Sequence, residues 1–273
     1  MKRVMMFLFC GLLGVGMAAS AAEQAGAVTE FMTLPDASAS DLPVTMFSGL
    51  PEERLKALAP EGTVRLWRNV FAFTLGGKRV MVDTGMGDTS SPFPKVYPRE
   101  VGTARRPDII LLTHMHADHI GGLLDGEVAR FPNTKVYLSK PELAYWKAAT
   151  DDRAKLAQKV IKAYEDCLVA FDDGQEILPG LFARYAPGHT PGHTVFETPD
   201  MLFVGDLLHG ASLQFAHPEV CASFDMDKPA AVAQRKAWLK KAAESGKTVA
   251  GCHLPHIGKV KRQGAAFEFS KLK

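Results

Sequence analysis

The stretch THMHADHIGG (residues 113–122) holds four side chains of the types that bind metals: His114, His116, Asp118 and His119. A surface histidine cluster could produce such a run by chance, so its position along the chain matters. The apolar segment DIILLTH (108–114) leads into it and is typical of a short buried strand that ends in a loop. The stretch therefore predicts a group of metal ligands held at the end of a strand.

Four further polar residues follow predicted strands in the same way. They come after the segments RVMV, LFARYA, MLFVG and TVAGC, and they are Asp83, His189, Asp206 and His253. Loops at strand ends are anchored by a rigid sheet, so they can hold several ligands around one point. Nine histidines scattered at random would not favour such places. We therefore expect these residues to lie close to the cluster at 114–119.

The residue types in the cluster indicate which chemistry it serves. Divalent metals such as zinc take neutral imidazole and carboxylate oxygen, and catalytic sites keep three protein ligands plus water. A His-x-His pair can point both rings at one ion, and the following Asp-His pair can hold a second ion close by. Asp206 is the candidate for a carboxylate that bridges the two. Water between two such ions becomes a nucleophile near neutral pH, so the pattern predicts a dinuclear metal hydrolase.

Hydrophobic patterning predicts strands and helices in both halves of the chain. The segment 64–85 reads as a hairpin that turns at Gly76-Gly77, and further strands are expected at 134–139, 181–186, 194–198, 201–205 and 247–253. Helices are expected at 51–59, at 141–169 with a break near 150–151, and at 228–245, ending at Gly246. This order is typical of a layered α/β domain with two sheets and outer helices.

The N-terminus has the pattern of a cleavable secretory signal over residues 1–22. Lys2 and Arg3 precede an apolar run that ends near Met17, and the small residues ASA (19–21) suit a signal peptidase. The apolar run is too short to span a bilayer. Cys10 would suit a lipoprotein signal, but Phe9 stands before it where such signals have a small residue. We expect a periplasmic or secreted protein.

Composition bounds the rest of the chain. Residues 23–273 suit a single domain, with 23–50 as an extended arm, because 47% of the 273 residues are apolar. The formal charge is +2, and removal of Lys2 and Arg3 leaves zero, which disfavours a nucleic-acid partner. We expect a small-molecule substrate and no membrane association after cleavage; a homodimer stays open. Three cysteines are left after cleavage, without a C-x-x-C, which argues against a disulfide framework, although one pair could form: Cys167, Cys221 and Cys252.

The segment HMHADH (114–119) matches the signature of the metallo-β-lactamase superfamily, which the chain resembles over residues 64–270. Its other landmarks follow in order as VDTG (82–85), PGHTPGH (187–193), GD (205–206) and GCHLP (251–255). The resemblance implies the four-layer αβ/βα sandwich of the metallo-β-lactamase fold. It also implies two divalent ions, with zinc expected and manganese or iron(II) compatible with the same ligands.

The resemblance assigns a role to each motif residue. One ion would be held by His114, His116 and His189, and the other by Asp118, His119 and His253. Asp206 would bridge the two ions, and Asp118 is also assigned a catalytic role. Asp83 and His193 would stand behind the ligands and orient them.

Within the superfamily, GDLLHGASLQF (205–215) and HLPHIG (253–258) look most like the methyl parathion hydrolase and quorum-quenching lactonase branch. His209 stands where some lactonases have a tyrosine, so it is a candidate general acid. Met86, Phe215 and His256 are candidate substrate contacts, with Phe93, Tyr97, Trp146, Phe224 and Met226 as weaker ones.

The resemblance implies a hydrolase of ester-like bonds, with an acyl-homoserine lactone as the first substrate class, and the signal pattern at residues 1–22 implies that this hydrolase is exported. A phosphotriester and a β-lactam are the alternatives within the same chemistry. A non-hydrolytic alternative is an iron-dependent oxidoreductase similar to persulfide dioxygenases. A binding protein with a vestigial site is disfavoured because all seven ligand positions are present.

Overall fold

The computed structural model describes residues 27–87 and 106–272, with the side chains of Ala37 and Ser38 left out. The predicted signal segment and the candidates Phe93 and Tyr97 lie outside these residues. Within the described ranges no helix has the length and apolar character needed to cross a membrane.

The first half of the chain forms a six-stranded sheet. The strands of this half are β1 (Thr29–Pro43), β2 (Phe47–Ser48), β3 (Thr63–Leu75), β4 (Lys78–Val82), β5 (Ile109–Leu111), β6 (Leu124–Asp125), β7 (Val128–Ala129), β8 (Lys135–Ser139) and β9 (Leu168–Phe171). The sheet order is β1-β3-β4-β5-β8-β9, antiparallel from β1 to β4 and parallel from β4 to β9. The extended arm expected at 23–50 is therefore, over Thr29–Pro43, an edge strand of this sheet.

The second half forms a seven-stranded sheet. Its strands are β10 (Glu176–Leu178), β11 (Leu181–Tyr185), β12 (Thr194–Glu197), β13 (Met201–Phe203), β15 (Thr248–Ala250), β16 (Gly258–Gln263) and β17 (Ala266–Lys271), while the short β14 (Cys221–Ala222) pairs with β2 instead. They lie in sequence order, and β13 and β15 are the parallel pair. The β16–β17 hairpin was not predicted from the sequence.

Helices flank the two sheets, with those at 140–163 packed on the first sheet and the one at 228–245 packed on the second. They are α1 (Glu52–Leu58), α2 (Ala117–Ile120), α3 (Lys140–Ala148), α4 (Ala154–Ala163), α5 (Ala211–Gln214) and α6 (Lys228–Ser245). Helix α6 begins at Asp227, whose side chain accepts from the backbone N–H of Ala230, and ends at Gly246 in the left-handed region with φ 62°. Both its bounds and the break between α3 and α4 agree with the sequence pattern.

Alternating side chains of the sheets divide the core into layers. In β4, Val80 and Val82 pack between the sheets, whereas Met81 faces the cluster formed with helices α3 and α4. Phe73 of the first sheet stacks on Phe203 of the second, with ring centroids 4.9 Å apart. Trp238 of α6 packs on the outer face of the second sheet. The helix–sheet–sheet–helix order confirms the predicted four-layer αβ/βα sandwich.

The hairpin and the cysteines also agree with the sequence. Gly76 and Gly77 both have positive φ, 55° and 74°, as a two-residue turn between β3 and β4 requires.

The three cysteines within the described ranges are free: Cys167, Cys221 and Cys252. The pair that the sequence left open is therefore not formed.

Candidate metal centre

The predicted ligands lie together at one edge of the two sheets. The parallel strands β4 and β5 of the first sheet end next to Asp83 and the 112–116 loop, and the parallel strands β13 and β15 of the second sheet end next to Asp206 and His253. Parallel neighbours present their carboxyl ends on the same side, so four loops meet there. The loop between β11 and β12 adds His189.

The first ligand set consists of His114, His116 and His189. Nε2 of His114 lies 3.0 Å from Nδ1 of His116, which lies 2.9 Å from Nε2 of His189, and the two Nε2 atoms are 3.2 Å apart. Zinc–nitrogen bonds of about 2.0–2.1 Å in a tetrahedral site place two nitrogens roughly 3.3 Å apart. Three ring nitrogens in a triangle of this size therefore fit one divalent ion.

The second ligand set consists of Asp118, His119 and His253. The Asp118 carboxylate lies 3.9 Å from Nε2 of His119 and 3.6 Å from Nε2 of His253. Asp206 lies between the two sets, because its Oδ1 is 3.1 Å from Nε2 of His119 and its Oδ2 is 3.4 Å from Nε2 of His189. This carboxylate is placed to bridge two ions.

Two buried atoms within the described residues support a bound cation. Nε2 of His119 and Oδ1 of Asp206 are both buried and have no hydrogen-bond partner, although they lie 3.1 Å apart. Leaving such groups unpaired is costly, and a divalent ion between them would satisfy both lone pairs. The donor set therefore fits a dinuclear divalent-metal site.

The two sets differ in their electrostatics. Burial and the neighbouring imidazoles hold the pKa of His114 well below its usual range and lower the pKa of His116 to about 3, so both rings are neutral. Burial acts in the same direction on His119 and His253, but Asp206 and Cys252 outweigh it and raise the pKa of both rings. His114 and His116 are thus neutral ligands, while the second set lies in a negative environment.

Asp83 orients a ligand of the second set. Its Oδ2 accepts from Nδ1 of His119 at 2.8 Å, and its Oδ1 accepts from the backbone N–H of Thr113 at 2.9 Å. This bond leaves Nε2 of His119 free to face a metal. Asp83 has φ 58°, a left-handed conformation that Asp tolerates better than most residues. His253 is fixed in the same manner, because its Nδ1 donates to the carbonyl of Trp67 at 2.6 Å.

His193 stands behind the ligands rather than among them. Its Nε2 accepts from the backbone N–H of Asp206 at 3.0 Å, and burial lowers its pKa to about 3, so the ring is neutral. A Cβ at position 205 would lie 2.6 Å from that Nε2, which explains why the GD motif has glycine there.

Sequence reasoning missed Asp225 and Arg235, which support the first set. Oδ1 of Asp225 accepts from Nδ1 of His189 at 3.0 Å, and Nη2 of Arg235 donates to Oδ2 at 3.0 Å. Arg235 is fully buried on α6 and also donates to the carbonyls of Leu207 and Val220. Neither residue lies in a recognisable motif, so only the three-dimensional arrangement identifies them.

Glu142 was missed as well, and it ties together two ligand loops. Its carboxylate is fully buried and accepts from the backbone N–H of Met115 at 3.0 Å and of Gly192 at 2.9 Å. It also accepts from the Thr190 hydroxyl at 2.7 Å and from Nε1 of Trp146 at 2.6 Å. Because Met115 and Gly192 belong to different loops, this carboxylate sets the distance between His116 and His189.

A cavity of about 470 Å³ opens above both ligand sets. Its floor includes Asp118, Asp206 and His253, and its walls are formed by Ser40, Leu42, Leu66, Arg68, Arg153 and Phe224. The volume is within the range of small-molecule sites. Of the weaker aromatic candidates, Phe224 lines this cavity, whereas the side chain of Trp146, a residue of α3, is buried in the core.

His209 lies in the cavity, as expected for a candidate acid. Its Nε2 is 3.3 Å from Oδ2 of Asp206, and within the described chain neither ring nitrogen has a hydrogen-bond partner. Burial lowers its pKa, so the ring is neutral and can donate one N–H to a bound molecule.

The other three predicted substrate contacts lie away from the described cavity walls. Phe215 follows helix α5 and is buried in the core, stacked on Phe269 with centroids 4.6 Å apart. His256 stacks on Phe269 as well, at 4.9 Å. Met86 donates its backbone N–H to Asp36. Phe215 and His256 pack on Phe269 instead of lining the described cavity, because the unpredicted β16–β17 hairpin supplies an aromatic partner for both.

Comparisons with known proteins agree with this geometry. The family profile described as Metallo-beta-lactamase superfamily matches residues 67–253. The structure of the dizinc quorum-quenching lactonase AidC, solved with the product N-hexanoyl-L-homoserine, has a TM-score of 0.80 and 26% identity, over 90% of this chain and 96% of that one. The hydrolase AbOPH of the beta lactamase superfamily has a TM-score of 0.78 at 24% identity, over 89% of this chain and 94% of that one, a likeness of fold alone.

A curated relative gives a shorter match. Hydroxyacylglutathione hydrolase of Enterobacter sp. (strain 638) is 37% identical over 106 residues, which is 38% of this chain. The match spans only 34% of that relative's own length. The match therefore supports shared ancestry and does not identify a shared substrate.

Proposed function

The chain belongs to the metallo-β-lactamase superfamily and is a metal-dependent hydrolase, and from that premise we propose that it opens lactones with an acyl side chain, of the acyl-homoserine lactone type. The observation that carries the proposal is the cavity: residues of both ligand sets line it, and three apolar side chains form part of its wall. Leu42, Leu66 and Phe224 would pack against the acyl chain. The likeness to AidC, solved with N-hexanoyl-L-homoserine, supports the same substrate class.

The two ligand sets would hold two divalent ions, zinc first, which supply a hydroxide near neutral pH and polarise the substrate carbonyl. Asp118 is the most exposed carboxylate of the centre, so it can accept a hydrogen bond from water on the cavity side. His209 would donate its N–H to the ring oxygen that leaves, because this residue lines the cavity and its ring nitrogens have no hydrogen-bond partner among the described residues. Arg68 at the cavity wall would donate to the amide oxygen of the acyl chain.

A hydroxyacylglutathione thioester is the second candidate substrate. Identity to hydroxyacylglutathione hydrolases favours it, and so does the pair of arginines on the cavity, Arg68 and Arg153, which could bind the carboxylates of such a substrate. The phosphotriester alternative rests on the motif resemblance over residues 205–215 and 253–258. A one-iron oxidoreductase would not need the second ligand set.

The test compares four substrates on one preparation: an N-hexanoyl-homoserine lactone, a hydroxyacylglutathione, a phosphotriester and a β-lactam. The zinc-loaded protein is measured beside the same protein stripped of metal. We expect metal-dependent ring opening of the lactone at the highest kcat/KM of the four. Faster thioester cleavage by protein shown to hold two ions would replace the lactone with the second candidate.

We also propose that the chain is exported, on the sequence pattern of residues 1–22. Expression in a bacterium with a periplasm, followed by intact mass measurement, is expected to give a mature chain that starts close to Glu23. A full-length chain found in the cytoplasm would overturn this proposal.

A further inference from the structure

We propose that Cys252 is a further metal ligand, whose thiolate completes the second ligand set from its buried side. The inference rests on the proposed two-metal function and concerns the same site. On binding, the thiol loses its proton to solvent and the sulfur forms a bond to the divalent ion, so no oxidant or reductant is involved.

The position of the sulfur carries the proposal. Sγ of Cys252, the Asp118 carboxylate and the ring nitrogens of His119 and His253 all lie within 4.8 Å of one another. Donors bound to one zinc ion at about 2.0–2.3 Å are at most roughly 4.5 Å apart. Small side-chain rotations are therefore enough to place all four donors around a single ion.

The backbone at Cys252 is held firmly in place. The side-chain amide of Asn69 donates to the carbonyls of Cys252 at 3.0 Å and of Leu254 at 2.8 Å, and its backbone N–H donates to Cys252 at 3.0 Å. Asn69 belongs to β3 of the first sheet, while Cys252 follows β15 of the second. This link between the two sheets holds the sulfur at a fixed place near His119, as a ligand position requires.

The sulfur of Cys252 lies among donor groups that a cation could bind. Cys252 is only 3% exposed, and the ligand atoms of Asp118, His119 and His253 lie within 4.8 Å of its sulfur. Nε2 of His119 is buried without a hydrogen-bond partner in the described residues. A buried thiol beside such donors is placed to bind an ion.

The buried approach would leave the reaction side of the ion open. Asp118 and His253 line the cavity, whereas neither His119 nor Cys252 lines it. A thiolate there would add a negative charge to the second set and give it a soft sulfur donor beside its nitrogen and oxygen donors. Thiolate favours zinc over manganese, so the second position is expected to discriminate between these metals more strongly than the first, which has imidazoles alone.

The test is X-ray absorption at the zinc edge on the wild-type chain shown by metal analysis to hold two ions. We expect a sulfur neighbour at about 2.3 Å. In Cys252→Ser this neighbour should disappear and the second ion should bind about 10- to 100-fold more weakly, while the first stays bound. Cys221→Ser is the matched control: it is also a buried free cysteine, and its spectrum should be unchanged.

Cobalt substitution gives a second reading that does not depend on activity. The wild type and Cys221→Ser should show a sulfur-to-cobalt absorption band in the near ultraviolet, and Cys252→Ser should lack it. A two-ion protein without a sulfur neighbour, or a band that persists in Cys252→Ser, overturns the inference. Lactone opening in that same protein would leave the proposed function standing, whereas a failure to bind two ions would count against the function itself.

Discussion

The first ligand set, His114, His116 and His189, places three ring nitrogens 2.9–3.2 Å apart, whereas the second set combines a carboxylate with two imidazoles at 3.6–3.9 Å. The smaller triangle needs little movement to bind an ion, because its geometry is already close to that of a tetrahedral site. The wider set has more negative charge around it. We therefore expect the first set to bind its ion mainly because its geometry is preformed, and the second set to bind its ion mainly because of the negative charge around it.

The residues behind the two sets differ as well. The first set is supported by Asp225 and the fully buried Arg235 of α6, and its loops are tied by Glu142. The second set is supported by Asp83, which accepts from Thr113 and from Nδ1 of His119, and no arginine or lysine takes part in these contacts. The residues that support the first set, Asp225 and Arg235, thus also connect the outer helix α6 to the core. Disturbing it should affect both metal binding and folding.

The largest expected effect comes from removing a ligand of the first set. His116→Ala should lower the lactonase rate by at least about 1,000-fold, because one ion that polarises the substrate is worth several kcal/mol. The thermal midpoint of the metal-free protein should change little, since His116 lies at the start of a four-residue helix on the cavity. Rates at the wild-type level in this variant would show that the first set is not needed for turnover.

A paired substitution tests whether the two supports differ. Asp225→Asn should weaken metal binding at the first set about 10- to 100-fold. It should also lower the free energy of unfolding by about 3 kcal/mol, since Arg235 keeps a buried charge without its counter-ion. Asp83→Asn should weaken the second set by a similar factor, with a smaller loss of stability, because asparagine tolerates the left-handed backbone and the His119 ring keeps the Asp206 carboxylate 3.1 Å away.

Metal titration and urea unfolding of the metal-free proteins measure both quantities. Comparing the two variants under one condition cancels errors common to both. Equal losses of stability would mean that Arg235 finds other partners, such as the carbonyls of Leu207 and Val220. The distinction between a support that holds the fold and one that only orients a ligand would then be lost.

These comparisons also separate what the sequence could predict from what it could not. The residues at 114–119 and the strand-end residues Asp206 and His253 were predictable, because a short apolar run and the polar loop after it leave a local pattern. Asp225, Arg235 and Glu142 left none, since each acts on a ligand from a different element: Asp225 lies 36 positions from His189. Their roles depend on tertiary packing, which no local pattern reports.

The position of Phe215 outside the described cavity has a physical cause. Phe215 was expected in the cavity because it follows the GD motif closely along the chain. Helix α5 turns the chain in between, so nearness in sequence does not set the direction of the side chain. Phe224, a weaker candidate farther from the motif, reaches the cavity instead, and its ring lies 5.6 Å from that of His209.

The smallest expected effect concerns His209, which lies between the two sets with its ring stacked on His253 and 4.9 Å from that of His189. His209→Phe should keep both ions and lower the rate roughly 10-fold, the worth of about one hydrogen bond. The loss should be larger for esters with poor leaving groups than for good ones, because only a poor leaving group needs the donated N–H. Rates across a leaving-group series and metal analysis measure both. Equal losses along the series would rule out the donor role. Loss of an ion from the variant would show instead that His209 binds one of the metals beside Asp206, so that the two ligand sets are not separate.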